Sequence, residues 1–380
     1  MNLLLGAILV LVLLTALLAG RWRRPSSPAS RQALLARTFA RLLEGERRSV
    51  LEEMRGLYRE SGQDVGIGLA LGMILRAVGK HQVAIRTHRS LTTHPALPEP
   101  LNAAIHTELA ADYMEIGLLE RAHNALERAL ALGPPDERLA RYGERILARL
   151  GKWDEAVKLV RDYGKRSGNN VTRRLGLLRY QQGEQHWRDQ RPEDALSAYK
   201  KAFQVHERCV PAYLGITRYH CHAGKPKKAL SFLEKRRQLF EEMDWLYFTE
   251  FRDVAIQLGN PTLFVDQTKA YLEGAQRDWR TRLVLAVFLT ETGSYEEAAG
   301  LLLDCLEQAP QTLLVHQKLW SLMLRWEEPW QLMREYREKI RQEPVFRDPW
   351  ICQSCGFTAN DLPWNCPSCF RPYSFTERKV

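Results

Sequence analysis

Signatures of bond-making chemistry are missing from this chain: it has no GxSxG elbow, no HExxH pair, no Walker glycine loop and no dinucleotide fingerprint. The familiar routes to nucleophilic hydrolysis, zinc proteolysis and nucleotide chemistry therefore have no residues to stand on, and the chain reads as a non-enzyme. Cysteine is also scarce, seven in 380 residues, and four of the seven crowd into the last thirty. So few, so unevenly placed, they do not describe a disulfide-stapled secreted domain. Acidic residues are outnumbered 45 to 55 by basic ones, for a formal charge of +10. That excess excludes little, because most of it sits in one place. Residues 21–48 hold eight arginines against Glu44 and Glu46, whereas from residue 350 onward Arg371, Arg378 and Lys379 face Asp361 and Glu377. A terminal domain so nearly neutral is a poor grip for phosphates, so nucleic acid is not an expected partner.

What is present begins with Leu3 to Gly20, eighteen apolar residues broken only by Thr15. At ~1.5 Å per residue the run just spans a hydrocarbon layer. A cleaved signal peptide carries its positive charge before the apolar run and a small-x-small site after it. Here Arg21, Trp22, Arg23 and Arg24 follow the run and no such site appears, so residues 1–20 are expected to stay as a transmembrane anchor. The positive flank then places the amino terminus outside and everything after residue 20 in the cytoplasm. The arginines either only fix that topology or also attract anionic headgroups. Residues 21–30, with Pro25, Ser26, Ser27 and Pro28, read as a basic juxtamembrane linker.

Residues 31–343 repeat. Glycines at 45, 79, 117, 151, 224, 259 and 293, with Gln190 in the one missing place, are spaced by 34, 38, 34, 39, 34, 35 and 34. Five residues on stands a small side chain in most copies: Ala84, Ala122, Ala156, Ala195, Ala229 and Ala298. One copy, Leu109, Ala110, Tyr113, Gly117, Ala122, Leu126, Ala129 and Pro134, resembles the tetratricopeptide pattern position by position. Each helix–turn–helix unit lacks a core of its own, so about eight stacked copies, some degenerate, are expected to form a right-handed all-α solenoid with a concave groove. Copies near Gly45 and Gly259 carry Val50 and Phe264 at the small position. Extra length around Gln181 to Arg191 accounts for the 39-residue step. Arg138, Arg141, Arg145 and Arg149 recur at steps of three and four and share a helix face, which serves either as a seat for an acidic partner segment or as an ordinary solvated face. His220, Cys221 and His222 are consecutive on a helix, point apart, and make a poor metal site. Cys209 and Cys305 read as small buried residues.

Residues 344–380 contain Cys352, Cys355, Cys366 and Cys369, two CxxC pairs ten residues apart. Thiolates two residues apart let the backbone turn so that both sulfurs reach one ion, and Gly356 and Pro367 suit such turns. One metal ion per chain is expected. Too small to build much core, this knuckle is expected to lean on metal for folding and on the aromatics between Trp320 and Trp364 to dock on the last repeats.

The terminal stretch Cys352-Gln-Ser-Cys355-Gly-Phe-Thr-Ala followed by Trp364-Asn-Cys366-Pro-Ser-Cys369, together with anchor and repeats, resembles the lipopolysaccharide assembly protein B family over essentially the whole chain. The resemblance implies a bacterial inner-membrane protein with a rubredoxin-like terminus whose four cysteines ligate the metal. It also implies an adaptor that helps the protease FtsH degrade the deacetylase LpxC and coordinates synthesis with lipopolysaccharide export proteins. A scaffold of an export complex without a proteolytic role, and an iron-based redox carrier, are the alternatives; a homodimer stays open. Phe370 stands where rubredoxin-type knuckles generally have glycine, and the short gap between the pairs departs from true rubredoxins. Both features speak against electron transfer, and a short four-cysteine knuckle with no redox partner in the chain reads as structural zinc rather than iron.

Overall fold

The computed structural model describes residues 47–61, 63–95, 97–241, 243–275, 278–340 and 347–378. The expected anchor 1–20, the linker and Gly45 lie outside these. Among the described residues no helix is long and apolar enough to cross a membrane. They form seventeen α-helices and three short strands, and the chain divides after Lys152 into two compact units. The fold is an all-helical tetratricopeptide solenoid with the four-cysteine cluster at its carboxy-terminal end.

The first unit holds α1 (Arg47–Glu60), α2 (Val65–Ala77), α3 (His81–Leu91), α4 (Glu99–Glu115), α5 (Leu119–Leu132) and α6 (Glu137–Arg149). The α4–α5 turn shows how the repeat closes. Leu118 N donates to Tyr113 O (2.9 Å) and Gly117 N to Met114 O (3.2 Å), a Schellman closure that requires the left-handed φ of +78° at Gly117. Ala122, five residues on, is wholly buried, which lets α4 and α5 pack closely.

A buried ionic network crosses this unit. Arg76 donates to Asp112 (2.6 Å) and to Glu108, Arg138 donates to Glu108 (2.6 Å), and His88 Nδ1 bonds Asp112 (2.6 Å). Asp112 and His88 are fully buried; Asp112 depends on Arg76 and His88 for its polar contacts, while His88 Nε2 also lies 3.2 Å from Leu69 O. Gly72 makes the room: a Cβ there would stand 2.2 Å from His88 Nε2.

The second unit begins with α7 (Trp153–Ser167), α8 (Thr172–Arg188), α9 (Pro192–Val205), α10 (Val210–His222) and α11 (Pro226–Lys235). After a 3-10 turn, Arg237–Phe240, come α12 (Asp244–Gln257), α13 (Pro261–Gly274), α14 (Trp279–Thr292), α15 (Tyr295–Gln308), α16 (Leu313–Arg325) and α17 (Trp330–Lys339). The α8–α9 turn repeats the Schellman pattern without glycine: Arg191 N donates to His186 O (2.9 Å), Gln190 N to Trp187 O (3.1 Å), and Gln190 sits at φ +58°. Helix α8 runs 17 residues, the extra length expected in the 39-residue step. Tyr199 is fully buried between α8 and α10, admitted by Gly183 and Gly215, where a Cβ would fall 2.4 and 2.9 Å from its ring. Phe264, at the small-residue position of its copy, is fully buried as well and packs on Phe251 and Phe288. That copy is filled by aromatics where others rely on close helix approach. The last pair, α16–α17, has no glycine turn and leaves Trp320, Leu324, Trp330 and Met333 exposed.

Candidate metal centre

Three strands frame the cysteines. β1 (Trp350–Cys352) lies between β2 (Thr358–Ala359) and β3 (Phe375–Glu377), both antiparallel to it. Each CxxC pair closes the same way. Gly356 N donates to Cys352 O (2.9 Å) and Phe370 N to Cys366 O (2.8 Å), and the residue after each pair is left-handed: Gly356 at φ +73°, Phe370 at φ +61°. The departure from the glycine pattern is therefore one of side chain only, since Phe370 adopts the glycine-like backbone the knuckle needs.

Four sulfurs converge. Cys352 and Cys369 lie 3.6 Å apart, Cys355 and Cys366 also 3.6 Å, and all four lie within 4.8 Å of one another. A tetrahedron with metal–sulfur bonds of ~2.3 Å has edges of about 3.8 Å, so the donor set fits one tetrahedral thiolate-bound ion. Separations this long are no disulfides, and all seven cysteines are free. Among the described residues this is the one group able to hold a metal; His220, Cys221 and His222 do not form a second.

The thiols differ in readiness. Burial works against the Cys352 thiolate, but hydrogen bonding with Ser374 and the amides of Ser354 and Cys355 holds its pKa down to about 6. The Phe357 amide leads in lowering exposed Cys355. Burial raises Cys366, and raises Cys369 to about 12. The first pair is thus closer to the thiolate form at neutral pH, and a cation would have to displace protons from the second.

The knuckle is docked, as expected, on the last repeats, with its main contacts on α12 and α14. Trp350, 9% exposed, packs near Trp245 of α12 at 6.3 Å between ring centroids. The Arg280 guanidinium of α14 lies 4.5 Å from the rings of both Trp279 and Trp350 and donates to Glu377 (2.6 Å). Tyr373 OH donates to Cys209 Sγ (3.5 Å), and its ring stands edge-on to His206. Towards the end of the array the connection includes the backbone bond from Arg347 N to Gln311 O (2.8 Å) and the cavity wall shared with Leu314 and Lys318. Burying one indole contributes on the order of 3 kcal/mol before ordering costs, so Trp350 and the Arg280 stack outweigh that backbone bond.

The arginine row lies on α6. Arg138 is tied to Glu108, Arg145 stands 3.7 Å from Glu115, and Arg149 donates to Met114 O (3.3 Å). Arg141 lies 6.0 Å from the Tyr142 ring centre. Burial lowers the Arg145 guanidinium to about 10, against the pull of Glu115. Three of the four thus have partners within the unit. The sequence offered no signal for Arg280, Trp245 or Cys209 as the knuckle's seat. Arg280 and Trp245 are ordinary helix residues and Cys209 precedes α10, and their roles come from contacts some 70 to 165 positions away.

A tetratricopeptide-repeat family model matches residues 107–171. The chain is 25% identical over 340 residues to the lipopolysaccharide assembly protein B of Haemophilus influenzae, covering 82% of this chain and 78% of that protein. It is 24% identical over 347 residues to the Escherichia coli K12 protein of the same name, covering 86% and 85%. Among solved structures it is similar to MamA, with a TM-score of 0.36 and 19% identity over 48% of this chain and 94% of that one. With similarity running over more than four-fifths of its length and a repeat match inside it, the chain is a tetratricopeptide-repeat protein related in sequence to proteins named lipopolysaccharide assembly protein B.

Proposed function

We propose that this protein is a membrane-tethered adaptor in lipopolysaccharide assembly that promotes degradation of LpxC by FtsH and coordinates synthesis with export. The observation that carries the reading is the similarity over 82–86% of the chain to proteins named for lipopolysaccharide assembly. The FtsH and LpxC roles come from the family resemblance. A helical repeat array ending in a docked four-cysteine knuckle supports a role in holding partners, since stacked repeats present extended surface. Anchoring by residues 1–20 at the bacterial inner membrane, with the body on the cytoplasmic side, would raise the effective concentration of the array near a membrane protease. The ion is structural zinc in this reading: four thiolates at tetrahedral separations close the coordination sphere, and the knuckle is packed by Trp350 and Tyr373 against helices.

The test is the half-life of LpxC in cells depleted of the protein and complemented by the full chain or by residues 21–380 at native abundance. The full chain is expected to restore rapid turnover and the soluble form to leave LpxC long-lived. An LpxC half-life indifferent to depletion, alongside a defect in export, would replace the adaptor by a scaffold.

A further inference from the structure

A cavity of about 440 Å³ lies inside the second unit where the knuckle meets α10, α12, α14 and α16. Its size falls in the range of small-ligand sites, roughly 300–1,000 Å³. Four tryptophans wall it, Trp245 and Trp279 from helices and Trp350 and Trp364 from the knuckle, with Leu283, Val284, Val287 and Leu314 completing an apolar lining. Three cations, Arg252, Arg280 and Lys318, also line it, against the single carboxylate of Asp361. Two of these cations have capacity to spare. Arg280 gives Nη1 to Glu377, but its Nη2 is buried without a hydrogen-bond acceptor among the described residues. Lys318 has no ion pair among them. A buried guanidinium nitrogen left without an acceptor costs free energy that an anionic ligand would recover.

We infer that this cavity binds an acyl chain ending in a carboxylate, with the chain against the tryptophans and the anion at Arg280 and Lys318. A peptide is the poorer occupant. Every residue brings an N–H and a C=O that need partners, and apart from the charged groups and the indole N–H donors the lining offers Thr249 and Asn360, of which Thr249 already donates to Trp245 O (2.7 Å), so acceptors for peptide N–H groups are scarce. An acyl chain makes no such demand.

Full-length protein in permeabilised cells is treated with dodecanoate carrying a terminal diazirine, irradiated, and mapped by mass spectrometry. Label is expected on Leu283, Val284, Val287 or Trp364. Lys318→Gln removes a charge-assisted contact from a partly exposed side chain, and labelling there falls about tenfold, as it does for the matching dodecanol probe. Val284→Trp fills the cavity and abolishes the label while bound metal, measured on the same sample, stays at the wild-type level. An excess of an uncharged apolar hexapeptide leaves labelling unchanged. The inference is overturned by label confined to residues 1–20, by label in the cavity indifferent to both variants, by equal labelling from the alcohol, or by displacement with the peptide.

Discussion

Phe370 holds a left-handed backbone conformation that costs an L side chain roughly 1 kcal/mol or more relative to glycine. The bond from Phe370 N to Cys366 O closes that turn, and an ion held by Cys366 and Cys369 just before it would over-determine the strained conformation. Phe370→Gly should therefore slow metal release to a chelator, by up to about fivefold for that 1 kcal/mol. Faster release would mean that the phenyl ring contributes more than its backbone costs. Glu250 gives a pH dependence. Burial, reinforced by Asp253 and opposed by Arg218, pushes its carboxyl from 4.5 up to about 7. A raised carboxyl pKa means the folded state holds the proton more tightly. The stability it contributes is complete below about 4.5 and is lost as pH rises through about 7. Glu250→Gln should flatten the stability of the metal-loaded protein between those values relative to the parent; an unchanged slope would remove Glu250 as its source. No sequence pattern marked this residue, because its environment is assembled from separate helices.

At the scale of the element, the repeat was legible because its turn demands a left-handed residue and its helix crossing a small one, and both demands recur at fixed distance. The register even placed Gln190 in a turn position, where it does adopt φ +58°. Gln190 is exposed and carries the steric cost of that φ, so Gln190→Gly should stabilise the α8–α9 turn by up to about 1 kcal/mol, roughly 2–4 °C in melting temperature. A lower melting temperature would show that the side chain supplies contacts beyond the turn. Gly72 and His88, by contrast, were silent in the sequence: the glycine serves a side chain on another helix, and no local period announces that. The arginines of α6 were legible as a row, but their ties to Glu108, Glu115 and Met114 O were not, since the acceptors sit on α4.

At the scale of the whole molecule, the four cysteines and the docking on the last repeats were readable, whereas the particular residues of the knuckle's seat were not. Of the aromatics expected to dock it, Trp320 and Trp330 remain exposed while Trp350 docks near Trp245 and Arg280. The choice follows from chemistry: α14 offers a guanidinium that stacks on an indole and pairs with Glu377 at once. If the four thiolates hold an ion that supports the knuckle's fold, stripping it should undock Trp350 and Trp364, seen as a red shift in tryptophan emission and new protease cuts within residues 347–378. Emission and cutting patterns unchanged after complete metal removal would show that the docking contacts suffice alone.

Two walls of the cavity belong to the knuckle, and that gives the metal a second reader. If stripping the ion undocks the knuckle, the chamber binds its occupant more tightly in the loaded state. By reciprocity the occupant must then tighten the ion by the same factor the ion tightens the occupant. The thiolate cluster and the tryptophan chamber would thus behave as one thermodynamic object with two ligands, in which scarcity of either is felt as weaker retention of the other.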